Sequence, residues 1–411
     1  MVDCWLPYGD TEVYVSVELE SLIGIADLKQ VEPEKTAVEL ITDALMEPYG
    51  KPLEELVDPG VDVAIAVDIY SNPHAVTQAL TEVTKMLVEL IVPKERITII
   101  LGNGESEKEN TMIRDAINEL PDLKNITLID HNRTTGNNVT LDETHRGTPV
   151  EINRRYHEAK LKIAIGETRI DALTGYAGAH SAVVPGLASV ETIKGYRKRY
   201  MESRTSPGGL ELNPIKEDVL EAIGKTGIDF AINLVTNKEG RIIAVHSGGY
   251  EETWGKAINS LADQREVKTE GGADIVITSA GGAPYDQSFY PATWALLNAS
   301  KAAKKNGAIV LLAQCVTGLG AEAFTQLAKV NESDELMRRY MYGAEALDLM
   351  KQVQKNNRII LVSALPNYLV ESLGMDVART ANEAYQKAIQ SRRGRKTSII
   401  PYGCQSIWSE V

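Results

Sequence analysis

The sequence predicts an α/β protein of two Rossmann-like domains, each a parallel sheet flanked by helices, with a cleft between them. Three observations predict it. Short, almost uninterrupted apolar runs alternate with amphipathic helical periods, the pattern of strands buried on both faces. At 411 residues the chain exceeds what one ordinary core accommodates. A polar, glycine-bearing break at residues 268–272 precedes a second strand–helix series.

Along the chain, the first strand-like run is residues 61–67, nearly all apolar, ahead of a helical period over 73–90. Residues 96–101 repeat the arrangement before a helix beginning near 107, and 126–129 and 161–165 add two more strands. Residues 230–236 and 241–245 flank Asn237-Lys238-Glu239-Gly240, a turn with glycine at the left-handed position, so an antiparallel ribbon is expected at the edge of the first domain. The second series has strands at 275–278, 308–313 and 359–363, each ending in a turn of small residues. The expected organisation is an N-terminal domain over 1–268 and a C-terminal domain over 269–395. Residues 396–411 are expected to form a tail returning to the first domain.

Composition narrows the function classes. The formal charge of −14 argues against a nucleic-acid backbone or an anionic membrane as partner. No stretch is long and apolar enough to span a bilayer, and the opening residues do not read as a secretory leader. A cytoplasmic location is therefore expected, with a homo-oligomer as a possible assembly. Cys4, Cys315 and Cys404 are distant and odd in number, so reduced thiols are expected rather than a disulfide framework or a metal-spaced set.

Ligands of open α/β sheets bind beyond the carboxyl ends of the strands. The loops at 68–73, 102–107, 166–186 and 281–290 are therefore expected to converge on one cleft. The richest is GETRIDALTGYAGAHSAVVPG, residues 166–186, whose glycines, Gly175 and Gly178 among them, are expected around a short helical run. Glycines after a buried strand let backbone N–H groups approach a ligand. Upstream lies RGTPVEINRR at 146–155; further patches are Leu6-Pro7-Tyr8-Gly9 and Gly281-Gly282-Ala283-Pro284-Tyr285-Asp286-Gln287 ending at Tyr290.

These patches, in this order, resemble the nickel-dependent lactate racemase family, and the resemblance covers nearly the whole chain. It implies the two-domain fold and an activity on 2-hydroxy acids. It also implies a nickel pincer nucleotide tethered to a loop lysine, but that position is Ser181 here. The nickel-ligand histidine position is Arg197, the two catalytic histidine positions are Gly104 and Asp171, and the substrate-binding arginine position is Ser71. A Gln and a Lys of the second domain fall at Pro291 and Trp294. A serine forms no thioamide tether and a guanidinium coordinates no nickel. The nickel pincer nucleotide is accordingly not expected.

What stands in these loops carries chemistry of its own. Glu167, Arg169 and Asp171 sit at i, i+2 and i+4 beyond a strand end, with His180 nine residues on and Asp68 and Glu105 at neighbouring strand ends. One reading makes Asp171 or Glu167 a general base, with His180 and Glu105 assisting. In it Arg169, Asp68, Ser71, Arg197, Tyr285 and Gln287 bind a small carboxylic acid. A second makes the carboxylates a Mg²⁺ or Mn²⁺ site; a third makes them plain ion pairs. Gly175, Gly178 and Ser181 are the candidate cofactor-cradle residues. The functional readings are a racemase-like isomerase or lyase without the pincer cofactor, a 2-hydroxy-acid racemase holding that cofactor non-covalently, and a non-catalytic binding protein.

Overall fold

The computed structural model describes residues 1–102, 107–133, 137–390 and 394–411. It contains two six-stranded sheets, consistent with the predicted α/β class. The first runs in the order Ile242–Gly248, Phe230–Thr236, Leu161–Glu167, Val63–Val67, Ile97–Leu101, Thr127–Asp130. All its neighbours are parallel except the edge strand Ile242–Gly248, which pairs antiparallel with Phe230–Thr236. The expected ribbon is therefore part of the sheet, its inner strand buried along its whole length.

Sequence accounts for these elements locally. Val63–Val67 and Ile97–Leu101 are buried at every position, as strands covered on both faces must be. The helix Pro73–Glu89 between them begins with proline at its first turn. Asn72 caps it, accepting the Ala75 N–H at 3.1 Å. The helix Ala37–Met46 has a capping box between Thr36 and Glu39.

The second sheet is wholly parallel, in the order Asp376–Ala378, Arg358–Val362, Ala303–Leu312, Ala273–Ser279, Thr397–Ile400, Leu22–Ile25. The tail, expected to return to the first domain, supplies the strand Thr397–Ile400, which lies between Ala273–Ser279 and Leu22–Ile25 of the N-terminal stretch. Its four residues are fully buried and match a two-faced interior position better than an edge. An N-terminal hairpin, Val2–Tyr8 with Thr11–Val17, packs Leu6, Val15 and Val17 onto Ile275, Val310 and Ile360 of the same sheet.

One continuous apolar core joins the halves: Val150, Tyr156 and Ala182 of the first share it with Val276, Ile309 and Leu347 of the second. Among the described residues no helix is long and apolar enough to cross a membrane.

Candidate functional site

In the first sheet the strand order reverses between Val63–Val67 and Leu161–Glu167, which lie side by side while their connections leave in opposite directions. Such a switch point opens a crevice beyond the carboxyl ends. Asp68 follows the first strand and Glu167 ends the second. The loop beyond places a hairpin ahead of the expected short helical run. Arg169–Asp171 and Gly175–Ala177 form a small antiparallel hairpin. Its turn is held by one oxygen of Asp171, which accepts the Leu173 N–H (2.9 Å), the Thr174 N–H (2.6 Å) and the Thr174 hydroxyl (2.9 Å). An Asp side chain closing a turn on its own backbone outcompetes the helix here. A short 3-10 turn, Ala179–Ala182, follows.

Facing this crevice is the second half, and a cavity of about 130 Å³ lies between them. The first half contributes Asp68, Arg169, Asp171, Ser181 and Arg197, and the second contributes Tyr285, Tyr290, Pro291, Trp294 and Cys404. Six of the predicted site residues therefore share one cleft: Asp68, Arg169, Asp171, Ser181, Arg197 and Tyr285.

Asp68 and Arg169 form a buried ion pair, their side chains only 4 % and 12 % exposed. Burial works against the Arg169 cation, but the Asp68 carboxylate beside it, together with Tyr285 and Glu167, outweighs that and raises its pKa. Arg169 also lies 5.6 Å from the Tyr70 ring centroid. Ser71 donates to Asp68 (3.4 Å) and accepts the Glu167 N–H (2.8 Å), so it ties the two strand ends together. Glu167 accepts the Thr236 hydroxyl and the Asn72 N–H (2.9 Å). With Ser71 and Gln287 it borders a neighbouring cavity of about 320 Å³ rather than the main cleft. The i, i+2, i+4 spacing does not bring Glu167 and Asp171 to one spot.

Arg197 sits in a cage of phenols. Its Nη1 donates to the hydroxyls of Tyr290 (2.5 Å) and Tyr342 (2.9 Å), and its Nε donates to Tyr196 (3.4 Å). Glu345, fully buried, lies 3.9 Å away and accepts from Tyr290 (2.6 Å) and Tyr340 (2.7 Å). This arginine of the first half is thus fastened to the second. Arg204 does the same with buried Asp348.

His180, a catalytic candidate, lies behind the cleft wall. Its ring packs edge-on against Trp254 at 4.6 Å, and Nδ1 is buried without a hydrogen-bond partner. Burial pushes its pKa down to about 4, with Asp171 opposing and Arg169 reinforcing the shift. Glu105 falls outside the described residues, as does Gly104.

The glycines of the expected cradle are closely packed. Gly175 has φ +87°, and a Cβ there would sit 2.5 Å from the Gly209 carbonyl oxygen. A Cβ on Gly178 would meet Asn233 at 2.7 Å and Trp254 at 2.8 Å. RGTPVEINRR is likewise structural. Buried Asp218 accepts from Thr144 (2.5 Å), Thr148 (2.6 Å) and Arg199 (2.8 Å), while Asn153 caps Arg154–Glu158 and holds His131 at 3.1 Å. Asp286 anchors the opening Leu-Pro-Tyr-Gly, accepting the N–H of Gly9 at 2.7 Å.

The residues at the cofactor positions do not fit a nickel pincer nucleotide. The Ser181 hydroxyl accepts the Gly178 N–H at 3.3 Å, and Arg197 is held by its phenols. Among the described residues, no three His, Cys, Asp or Glu side chains are grouped to hold a metal ion. The Mg²⁺ or Mn²⁺ reading thus finds no described donor set, because Asp68 is engaged by Arg169.

Sequence reasoning did not single out Arg133, Tyr70 or Tyr196, which also line the cleft. A signal for Arg133 existed: it stands three residues beyond a strand end on the crevice side of the first sheet.

Comparison with known proteins agrees with this architecture. The family model described as the lactate racemase N-terminal domain matches residues 8–208, and that of the lactate racemase C-terminal domain matches 268–407. The lactate racemase of Thermoanaerobacterium thermosaccharolyticum is 25 % identical over 430 aligned positions, covering 100 % of both chains. That of Lactiplantibacillus plantarum is 25 % identical, covering 98 % of this chain and 99 % of its own. The solved lactate racemase apoprotein from T. thermosaccharolyticum superposes with a TM-score of 0.85 at 23 % identity over 100 % of both chains. A Thermotoga maritima protein reaches 0.70 at 13 % identity, covering 93 % of this chain and 100 % of its own. With both family domains matched in order along most of its length, the chain belongs to the lactate racemase family.

Proposed function

We propose that this chain is a racemase-family isomerase or lyase that acts on a small hydroxy or other carboxylic acid by proton transfer, without a nickel pincer nucleotide. The observation that carries this reading is the meeting of Asp171 with the cleft's arginines in one small, partly apolar cavity. The carboxylate of Asp171 takes the proton from the carbon next to the substrate carboxylate, and a cleft arginine neutralises that carboxylate. Tyr196 and Tyr285 line the same cleft, and burial raises both phenols well out of the neutral range, so they stay protonated. Each is therefore a donor to the oxygen on which charge develops, or to carbon from the opposite face. Returning the proton to the opposite face inverts the centre; expelling a β-hydroxyl instead gives a lyase.

Pro291 and Trp294 replace a polar wall by an apolar one, which favours a ligand with one charged end. The test is proton NMR of a panel of 2-hydroxy acids in D₂O with purified protein. Loss of the C2 proton signal, dependent on Asp171, is expected. Binding without any exchange or turnover across the panel would replace this reading by that of a non-catalytic binder. One feature favours that second reading: Asp171 Oδ1 already accepts three hydrogen bonds, which commit that oxygen to the hairpin turn.

A further inference from the structure

Five charged side chains line the main cleft among the described residues: Arg133, Arg169, Arg197, Asp68 and Asp171. Arg169 is answered by Asp68, and Arg197 by Glu345 behind it. That leaves Arg133 and Asp171. Among the described residues neither has an oppositely charged group within 4.0 Å, although both face the same cavity. The Nε of Arg133 is shut off from solvent without a hydrogen-bond partner. A guanidinium with a buried, unpaired donor and no counter-ion carries a desolvation penalty that an anionic ligand would remove.

We propose that Arg133 is the residue that binds the substrate carboxylate, making the cleft specific for an acid whose carboxylate lies on Arg133 while the adjacent carbon faces Asp171. The proposal deepens the proton-transfer reading above and rests on it for the role of Asp171 alone. Its placement supports it. Arg133 follows the strand Thr127–Asp130 at the carboxyl edge of the first sheet, so it reaches the crevice from the side opposite the Arg169 hairpin. Its positive field reaches the Tyr196 phenol that lines the same wall. Among the described residues it alone of the three arginines has no charged partner, so ligand binding there breaks no described ion pair.

The test measures binding of acetate, D- and L-lactate and neutral lactamide to the wild-type chain, R133Q and R133K, by NMR titration, beside C2 exchange. Wild-type protein is expected to bind the acids. R133Q should weaken them by about tenfold to a hundredfold, the worth of a hydrogen bond to a charged group. Lactamide should bind both proteins alike. R133K, which keeps the charge and loses the planar fork, should fall between. A folded R133Q that binds acetate and lactate as the wild type does overturns the proposal, as does a wild type that binds neither. If R133Q does not fold, unchanged binding by R133K overturns it. Arg133-dependent binding with no C2 exchange supports this proposal and sinks only the proton-transfer reading.

Discussion

Replacing Arg197 by methionine removes the guanidinium from the phenol cage and keeps most of the side-chain volume. Three hydrogen bonds, at 2.5, 2.9 and 3.4 Å, vanish together with two cation–π contacts at 5.5 and 5.0 Å. Glu345, with no exposed surface, is then left beside two tyrosine donors with its arginine partner gone. Removing one partner of a buried pair costs roughly 3–5 kcal/mol, because the other charge is left uncompensated. At about 2–4 °C per kcal/mol for a domain of this size, the melting temperature should fall by roughly 6–20 °C. Urea denaturation and calorimetry measure the loss. The decisive companion is the double variant R197M/E345Q, which no longer strands a charge and should recover at least half of it. If R197M costs under about 1 kcal/mol, or the double variant is as unstable as the sum of the singles, the cage does not work as argued.

Further outcomes follow from the same geometry. Asp171→Asn keeps an oxygen able to accept the Leu173 and Thr174 N–H groups, so its melting temperature should stay close to wild type while C2 exchange falls by at least about 10²-fold. His180 has its pKa lowered from 6.5 to about 4, so its neutral form stabilises the fold fully above pH 6.5 and that contribution, on the order of 3 kcal/mol, is lost as pH falls toward 4. His180→Phe, which sacrifices no hydrogen bond at Nδ1, should flatten the pH dependence of urea stability over that window; an unchanged slope would refute the assignment. Gly175→Ala forces a side chain onto a φ of +87° and into the Gly209 carbonyl, so it should destabilise the fold by about 1–3 kcal/mol in the same assay.

Much of the architecture was legible because burial on both faces leaves an unmistakable apolar run. Val63–Val67, Ile97–Leu101 and Leu161–Glu167 announce themselves in that way. The 166–186 loop was legible as a glycine-rich turn, but the tight packing of Gly175 and Gly178 against Gly209, Asn233 and Trp254 was not, because those partners are distant in sequence. Six candidates met in the cleft because strand ends of a parallel sheet converge by topology. Glu167 did not join them: its partners, Asn72 and Thr236, come from elements whose register no local pattern encodes. Thr397–Ile400 carries no mark of which sheet it will enter.

That strand has a bearing on how the molecule is made. Leu22–Ile25 is synthesised early and finds its neighbour only when Thr397–Ile400 has left the ribosome. The intervening strands from Val63 to Gly248 complete a sheet of their own long before then. Biogenesis should therefore proceed from the middle outward: the nascent first sheet settles during translation, while Leu22–Ile25 waits for a strand made about 375 positions later (Leu22 to Thr397). Shortening the chain before Thr397 should leave the early segment without its strand neighbour, an opening for chaperones or proteases that a full-length product closes.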